Sequence, residues 1–243
     1  MNNGNKQVEA TTSAAATPFE MVRRMRFFIH MEQAEVQRTL NQLCAREVIQ
    51  RGGRAYKATA TDKAAEWLVR QHRHGLLICG NVGTGKTTLA RAMREMINRL
   101  TPHRVDYKKD GTHYQGWCGS LPWQDETTNW MSEVSANELC RMAQEDAEEF
   151  ERMKKSPLLF IDDLGTEPLT VKSYGTELSP VAELVEWRND KQLFTVATTN
   201  LSPRTKGGTS ELLDFYGTRT ESRMAELFDI ITLTGADHRK EAK

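Results

Sequence analysis

Residues 80–88 constrain this chain more than any other segment does. They read Gly-Asn-Val-Gly-Thr-Gly-Lys-Thr-Thr and fit the spacing G-x-x-x-x-G-K-[ST]. Glycines allow backbone conformations in which successive N–H groups turn inward on an anion. A helix that begins at Lys86 would point the positive end of its dipole at the same place. The pattern is typical of a phosphate-binding loop. The residues expected to line it are Gly80, Asn81, Val82, Gly83, Thr84, Gly85, Lys86, Thr87 and Thr88.

The residues on both sides of this loop favour the order strand, loop, helix. Residues 76–79 form a short apolar run, which predicts a buried parallel strand. Residues 88–93 are rich in helix formers with helical spacing. In this context Lys86 is expected to reach the β- and γ-phosphates of a nucleotide, and the Thr87 hydroxyl is expected to bind Mg²⁺.

A second group of polar residues follows another apolar run. Residues 158–161 are apolar and are followed directly by Asp162 and Asp163. A buried strand of a parallel sheet ends at the same edge as the phosphate loop, so both carboxylates are expected there. Asp162 is then a magnesium ligand, directly or through water. Asp163 is placed to orient or deprotonate an attacking water. The alternative is an ordinary surface loop after a strand.

Two further segments carry candidate residues near the carboxyl terminus. Residues 193–199 predict a strand that ends at Asn200, whose side chain could contact a γ-phosphate or the attacking water. Taken alone, Asn200 would more often be a turn residue. Arg219 and Arg223 are four residues apart and share one face of a predicted helix. Taken alone, they would be ordinary surface charges.

In combination, these motifs resemble the AAA+ ATPases, in particular their DnaC/IstB-like branch. Residues 80–88 match Walker A, residues 159–167 match Walker B, and residues 195–202 match sensor 1. Residues 216–224 resemble the arginine-finger segment, and the final strand with residues 235–239 is also similar. The resemblance covers about two-thirds of the chain.

The resemblance implies a fold, two cofactors and an assembly. The implied fold is α/β: a five-stranded parallel sheet with helices on both faces, a small N-terminal helical extension and no C-terminal lid. The implied cofactors are ATP, bound between subunits of a ring or spiral, and Mg²⁺. Either Arg219 or Arg223 would then act on a neighbour's γ-phosphate. Members of the branch load replicative helicases onto DNA or assist transposases, which implies a helicase or a transposase as partner and single-stranded DNA as ligand.

Composition adds few constraints to this hypothesis. The 243 residues carry 33 basic and 33 acidic side chains, and a zero net charge excludes no class of partner. No apolar run is long enough for a transmembrane helix, and the polar start resembles no signal peptide. The four cysteines form no C-x-x-C pair, which disfavours a zinc site or a disulfide framework. A cytoplasmic protein without membrane contact is expected.

The predicted organisation has three parts. Residues 1–18 are polar and are expected to be a disordered tail. Residues 19–58 have helical spacing from Phe19 to about Gly52, and the wider segment 21–75 carries 11 basic against 5 acidic residues. They are expected to dock a partner, although a solvated helix face explains the charge equally well. Residues 59–243 form the ATPase domain, in which a helix capped by Ser135 is expected to run through about Met153.

The segment 102–130 is expected to be a hairpin or irregular insertion in that domain. It combines lysines with aromatic residues, including Lys108, Lys109, Trp117 and Trp123. Such a mixture can bind single-stranded nucleic acid, whereas the alternative is that the aromatic side chains pack on their own domain. The branch usually has a longer helical insertion before Walker B than this chain has, so DNA contact would lie in residues 102–130 or be absent.

Other functions remain open at this level. A small-molecule kinase could use the same phosphate loop, but it would need an acceptor pocket and a basic lid that the sequence does not show. An assembly module that hydrolyses little ATP is a further alternative. Lys86, Asp162 and Asp163 are all present, which favours hydrolysis.

Overall fold

The computed structural model describes residues 22–24, 27–53, 60–70, 73–109, 112–123, 130–173, 175–203 and 210–235. For residues 22–24, 28, 102–109, 112–118 and 121–123 it describes the backbone alone. The predicted tail, residues 1–18, lies outside these ranges, as do residues 236–239 of the final motif.

The described residues contain seven helices and eleven strands. The helices are α1 (Gln33–Gln50), α2 (Thr61–Arg70), α3 (Lys86–Arg99), α4 (Ala136–Glu145), α5 (Ala147–Lys155), α6 (Pro180–Asp190) and α7 (Glu211–Leu227). The strands are β1 (Val22–Arg24), β2 (Phe28–His30), β3 (Gly75–Gly80), β4 (Leu100–Lys109), β5 (Thr112–Trp123), β6 (Met131–Ser135), β7 (Leu158–Leu164), β8 (Val171–Ser173), β9 (Thr176–Leu178), β10 (Phe194–Thr199) and β11 (Phe228–Leu233). None of the helices in these ranges combines the length and apolarity that a membrane crossing requires.

A five-stranded sheet with the order β11-β3-β10-β7-β6 forms the centre of the molecule. Every neighbouring pair in it is parallel, which confirms the predicted sheet. Because β10 lies between β3 and β7, the carboxyl ends of these three strands are adjacent. Those ends carry the phosphate loop, the two aspartates and Asn200, so the topology alone gathers most of the predicted site.

Helices cover both faces of the sheet. Alternate residues of β3 divide between two hydrophobic clusters: Leu76 and Ile78 lie in one, and Leu77 and Cys79 in the other. The first cluster includes side chains of α1, α2 and α3, whereas the second includes side chains of α4 to α7. Burial on both faces explains why β3 and the first four residues of β7 are apolar runs in the sequence, whereas the equally buried β10 includes three threonines.

The N-terminal region contains two short strands, so the prediction of helical structure from Phe19 to about Gly52 was wrong over residues 22–24 and 28–30. β1 and β2 both pair in parallel with β5, and α1 begins only at Gln33. Phe27 and Ile29 are buried, and the Phe27 ring lies 5.0 Å from the Trp130 ring between centroids. Bulky apolar residues at short spacing fit a strand as well as a helix, and only the available partner strand decides between them.

The described part of the insertion 102–130 is a hairpin, which was one of the two predicted alternatives, the other being an irregular segment. β4 and β5 pair antiparallel from Leu100 to Trp123. For the lysines and tryptophans within the hairpin the structure describes the backbone alone, so the prediction that their side chains contact DNA stays a prediction. At its end, Trp130 is partly buried against the first cluster and donates a 2.8 Å hydrogen bond to the Ile97 carbonyl. This one tryptophan therefore packs on its own domain.

The helix predicted to begin after Ser135 is two helices rather than one. Ser135 caps α4 as expected, since its hydroxyl accepts a hydrogen bond from the Glu138 N–H at 3.1 Å. At Asp146 the backbone leaves helical geometry (φ −146°, ψ 78°), and the Asp146 carboxylate caps α5 by accepting from the Glu149 N–H. Aspartate favours such a cap over a helix-interior position, which explains the break.

A buried arginine fixes the start of β10. Arg188 on α6 is fully buried and donates hydrogen bonds to the Phe194 carbonyl, the Thr195 hydroxyl and the carbonyls of Lys154 and Ser156. Burial lowers the pKa of Arg188 to about 9, so the side chain is still charged at neutral pH. These bonds join α5, α6 and β10, the strand that carries Thr198 and Asn200 towards the predicted site.

Candidate active site

The loop between β3 and α3 has the backbone that its glycines predict. Gly80 has φ 153°, and a Cβ there would lie 2.4 Å from the Leu233 carbonyl oxygen of β11. Gly85, directly before α3, is in the left-handed region at φ 89° and ψ 15°. An L-residue would be strained at both positions, and at Gly80 it would also push β11 away. The loop therefore depends on glycine for its shape.

The amino terminus of α3 faces this loop without a side-chain cap. The first hydrogen bond of the helix runs from the Leu89 N–H to the Gly85 carbonyl at 2.9 Å. The N–H groups of a helix's first turn precede its first carbonyl acceptor, so at the start of α3 they point towards the loop. Gly85 makes no side-chain cap. Such a terminus is a binding site for an anion of the size of phosphate.

Lys86 lies across the loop and is nearly buried, at 5% exposure. Its Nζ donates to the carbonyls of Gly80 and Asn81, both at 2.8 Å, and to Oδ1 of Asn200 at 2.7 Å. The last bond brings Asn200, which directly follows β10, next to the loop 80–88, whereas its predicted contact with a γ-phosphate or water stays a prediction. An incoming phosphate oxygen would exchange with one of these three acceptors, because an ammonium has three donors.

The remaining loop residues surround this lysine. Thr84 is buried, and its hydroxyl donates to the Asn81 carbonyl at 2.8 Å. Gly83 has φ 79°. Val82 is 55% exposed, which is unusual for a large apolar side chain. The Val82 side chain therefore presents apolar surface to solvent at the edge of the loop.

The predicted magnesium residues contact one another. The Thr87 hydroxyl donates to Oδ1 of Asp162 at 2.9 Å, so α3 and β7 meet at the two expected ligands. The Thr198 hydroxyl donates to the same oxygen at 2.6 Å and accepts from the Asp163 N–H at 2.9 Å. Thr198 thus connects both aspartates to β10. Sequence reasoning placed Thr198 in the strand but assigned it no role.

Asp163 stands out by its backbone. It has φ 57°, in the left-handed region, and its side chain is exposed. The register of β7 against β10 shifts between Ala197 and Thr199, at this same point. Bulges and left-handed residues at strand ends redirect a side chain out of the sheet, and they are concentrated at functional sites. Asp163 is therefore exposed at the carboxyl edge of the sheet, beside the partly buried Asp162.

The loop after Asp163 is anchored to α7 by a buried carboxylate that sequence reasoning missed. Glu167 is 4% exposed and accepts hydrogen bonds from the Gly165 N–H at 2.7 Å and from the Tyr216 hydroxyl. Burial, followed by the charge of Glu167, raises the pKa of Tyr216. Tyr216 precedes Gly217, which interrupts α7 with φ 77° and ψ 169°. A glutamate four positions after an acidic pair gives no signal of such a contact in the sequence.

Arg219 and Arg223 do not join the residues around Lys86. Arg219 is 81% exposed and forms an ion pair with Glu186 at 2.9 Å. Arg223 pairs with Glu226 at 2.9 Å. The hydrogen bond to Glu226 raises the pKa of Arg223. Both lie on the part of α7 that leads into the start of β11, whereas the phosphate loop follows the end of β3. Their role as residues that act on a neighbouring subunit stays a prediction.

Arg91 is a further residue that sequence reasoning missed. It follows Thr87 by one helical turn on α3, and its guanidinium lies 3.8 Å from Oδ2 of Asp162. It also pairs with Glu133 at 2.8 Å. The i, i+4 spacing from Thr87 was the signal that could have found it.

The residues present fit a nucleoside triphosphate bound with magnesium. The uncapped α3 terminus and the Lys86 ammonium match the charge of phosphate, and the Thr87 hydroxyl and Asp162 carboxylate supply oxygen ligands. Within the described ranges, no three His, Cys, Asp or Glu side chains form a ready metal cage. Magnesium in nucleotide sites typically needs only one or two protein oxygens beside phosphate and water.

The sequence matches no protein-family model and no curated protein. Among solved structures, the chain is similar to the crystal structure of the DnaC helicase loader, with 19% identity, a TM-score of 0.45, and coverage of 73% of this chain and 92% of that one. It is also similar to DnaI, with 18% identity, a TM-score of 0.46, and coverage of 86% and 97%. A third similar structure is domain III of the Thermotoga maritima replication initiation protein DnaA, with 17% identity, a TM-score of 0.42, and coverage of 70% of this chain and 60% of that one. This likeness describes the chain trace and assigns no activity.

Proposed function

We propose that this chain binds ATP with Mg²⁺ in the loop 80–88 and hydrolyses it. One observation supports the proposal above all: Lys86 is hydrogen-bonded to Asn200 and Thr87 to Asp162, so two direct bonds bring the start of α3 to β7 and to the end of β10. They meet beside an uncapped helix amino terminus, where a phosphate chain fits.

Each residue then has a distinct task. The Lys86 ammonium and the N–H groups at the start of α3 bind the phosphate oxygens. Thr87 and Asp162 hold Mg²⁺, which when bound neutralises charge on the β- and γ-phosphates. The Asp163 carboxylate orients the attacking water and accepts its proton. Asn200 contacts the same water or the γ-phosphate, and its hydrogen bond to Lys86 supports this role.

The same proposal includes an assembly. What supports it is the order of the four motifs along the chain and their resemblance to the DnaC/IstB-like branch. Subunits bind ATP between them in a ring or spiral, and Arg219 or Arg223 reaches the neighbour's γ-phosphate after leaving its own acidic partner. The assembly forms on single-stranded DNA and loads or remodels a replicative helicase, docked by residues 19–58. A transposase as partner is the alternative within the same architecture.

The test separates binding from hydrolysis with two variants. Lys86→Ala is expected to weaken nucleotide binding by about 100-fold or more, because the ammonium is the main cation in the loop. Asp163→Asn is expected to keep the dissociation constant within about threefold while kcat falls about 100-fold, the usual size of a lost general base. Matched controls are Lys172→Ala and Asp214→Asn, which change exposed residues outside the site.

The outcome is decided by isothermal titration with ATP and by phosphate release. Wild-type affinity in Lys86→Ala would refute the binding site, and an unchanged kcat in Asp163→Asn would refute its role as base. Turnover per subunit is also measured across a protein dilution series with and without single-stranded DNA. A rate that rises with concentration and with DNA supports the assembly, whereas a rate flat in both reopens the kinase alternative.

A further inference from the structure

Arg91 lies between the proposed magnesium ligand and the N-terminal helix. Its guanidinium is in ionic contact with three carboxylates from three elements: Glu133 of β6 at 2.8 Å, Glu47 of α1 at 3.6 Å and Asp162 of β7 at 3.8 Å. The side chain is one-third exposed. A single cation thus connects α1 to the carboxyl edge of the sheet.

The two oxygens of Asp162 have different partners. Oδ1 accepts from the hydroxyls of Thr87 and Thr198, whereas Oδ2 faces Arg91. A magnesium ion beside Thr87 would draw on the same carboxylate as the guanidinium. Because two cations that share one carboxylate oppose each other, the charge of Arg91 weakens the attraction of Asp162 for Mg²⁺.

The other contacts decide how strongly Arg91 draws on Asp162. Glu133 and Glu47 attract the guanidinium away from it, and each is shared with a second arginine: Glu133 with Arg94 at 3.5 Å and Glu47 with Arg51 at 2.6 Å. Burial lowers the pKa of Arg91, but the hydrogen bond to Glu133 and the surrounding carboxylates outweigh it and raise the pKa overall. The charge is therefore constant over the working pH range.

We propose that Arg91 is a positioning residue that sets the magnesium affinity of the nucleotide site through Asp162, and that Glu47 of α1 adjusts this affinity by holding the guanidinium back. The inference rests on the proposed function, since it needs a magnesium–nucleotide complex in the loop 80–88. Contacts that disturb Glu47 would then be felt at the magnesium site. α1 lies in the region proposed to dock a partner, so docking would change the Mg²⁺ concentration that the nucleotide site requires.

The experiment measures binding rather than turnover. Mg²⁺ is titrated into the full chain with a slowly hydrolysed fluorescent analogue, mant-ATPγS, and the magnesium concentration at half-maximal anisotropy is recorded. Arg91→Gln is expected to lower this midpoint roughly tenfold, since a cation beside a carboxylate changes that group's affinity for a positive charge by one or more decades. Glu47→Gln is expected to raise it about threefold, because the guanidinium is freed towards Asp162.

Matched controls separate this effect from a general loss of charge. Arg94→Gln removes another partner of Glu133, but among the described ion pairs Arg94 has none with Asp162. Glu95→Gln removes an acidic side chain of α3 that forms ion pairs with Arg46 of α1 and Arg99 of α3 rather than with Arg91. Both controls are expected to keep the midpoint within about twofold. The shift in Arg91→Gln should also shrink at high salt, as for any partly exposed charge.

The possible results are distinct. A midpoint in Arg91→Gln that is unchanged or raised overturns the inference and leaves the proposed function intact. If Arg91→Gln does not fold, Glu47→Gln decides, because no rise in its midpoint overturns the inference in the same way. If the wild-type chain binds the analogue without any response to Mg²⁺, the proposed function and the inference both fall.

Discussion

Replacing Thr198 by valine tests whether β10 positions the two aspartates. The fully buried Thr198 hydroxyl donates to Asp162 Oδ1 at 2.6 Å and accepts from the Asp163 N–H at 2.9 Å. Valine keeps the shape and removes both bonds. Asp162 then loses one of the two hydroxyls on Oδ1, and the Asp163 N–H loses the acceptor that supports its left-handed backbone.

The next residue provides an unusually close control. Thr199 is also fully buried, and its hydroxyl donates to the Leu164 carbonyl at 2.7 Å and accepts from the Leu201 N–H at 3.1 Å. Each threonine therefore makes one bond as donor and one as acceptor of a backbone N–H. The difference is that Thr198 contacts the aspartates.

The magnitudes follow from these bonds. Two neutral hydrogen bonds at about 1 kcal/mol each give a loss of about 2 kcal/mol for Thr199→Val. The bond to a carboxylate is stronger, so the loss for Thr198→Val is about 3 kcal/mol. In a chain of this size each kcal/mol lowers the melting temperature by about 2–4 °C. Thr198→Val is further expected to lower kcat/KM for ATP about 10- to 100-fold, whereas Thr199→Val stays within about threefold.

Circular dichroism melts and phosphate release at a temperature below both transitions measure these quantities. An equal loss of activity in the two variants would show that stability alone explains it. Wild-type kcat/KM in Thr198→Val would refute the argument that this hydroxyl positions the aspartates.

Two further predictions concern the thiols and the arginines. Burial raises the pKa of the three described cysteines to between about 11 and about 12. In a Cys118→Ser background, thiol reagents at pH 8 should label them only on unfolding, which a time course checks; fast labelling would contradict the burial. Because the folded pKa values are raised, the thiols' contribution to stability is complete below about pH 9 and is lost as the pH rises through 11 to 12. For the arginines, Arg223→Ala mixed with Lys86→Ala should regain part of the ATPase activity, and Arg219→Ala serves as the comparison; no regain with either would count against action between subunits.

The sequence was sufficient where a function needs a fixed local pattern. The loop 80–88 must have glycine at particular positions because its backbone is otherwise strained, and this requirement is visible in any single sequence. Apolar runs revealed β3 and β7, the β-branched and aromatic residues of 193–199 revealed β10, and parallel strands place their ends together. These two rules predicted that Lys86, Thr87, Asp162 and Asn200 would lie close together, and the structure has one hydrogen bond between Lys86 and Asn200 and another between Thr87 and Asp162.

Short or ambiguous segments were beyond the sequence. Residues 22–24 and 28–30 lie in a stretch whose spacing suits a helix, yet they form strands because β5 offers them partners to pair with. The small hairpin of β8 and β9 left no pattern long enough to detect. The continuous periodicity after Ser135 concealed the break at Asp146, where a side-chain cap competes with the helix.

The sequence by itself determined the glycine-dependent backbone of the loop 80–88 and the central strands, because these depend on local backbone demands and on periodicity. Only the tertiary structure decided that Thr198 connects both aspartates, that Glu167 anchors their loop to Tyr216, and that Arg91 lies between Asp162 and α1. Such contacts join residues far apart in the chain. Their strength depends on distance and burial, which no spacing along the sequence specifies.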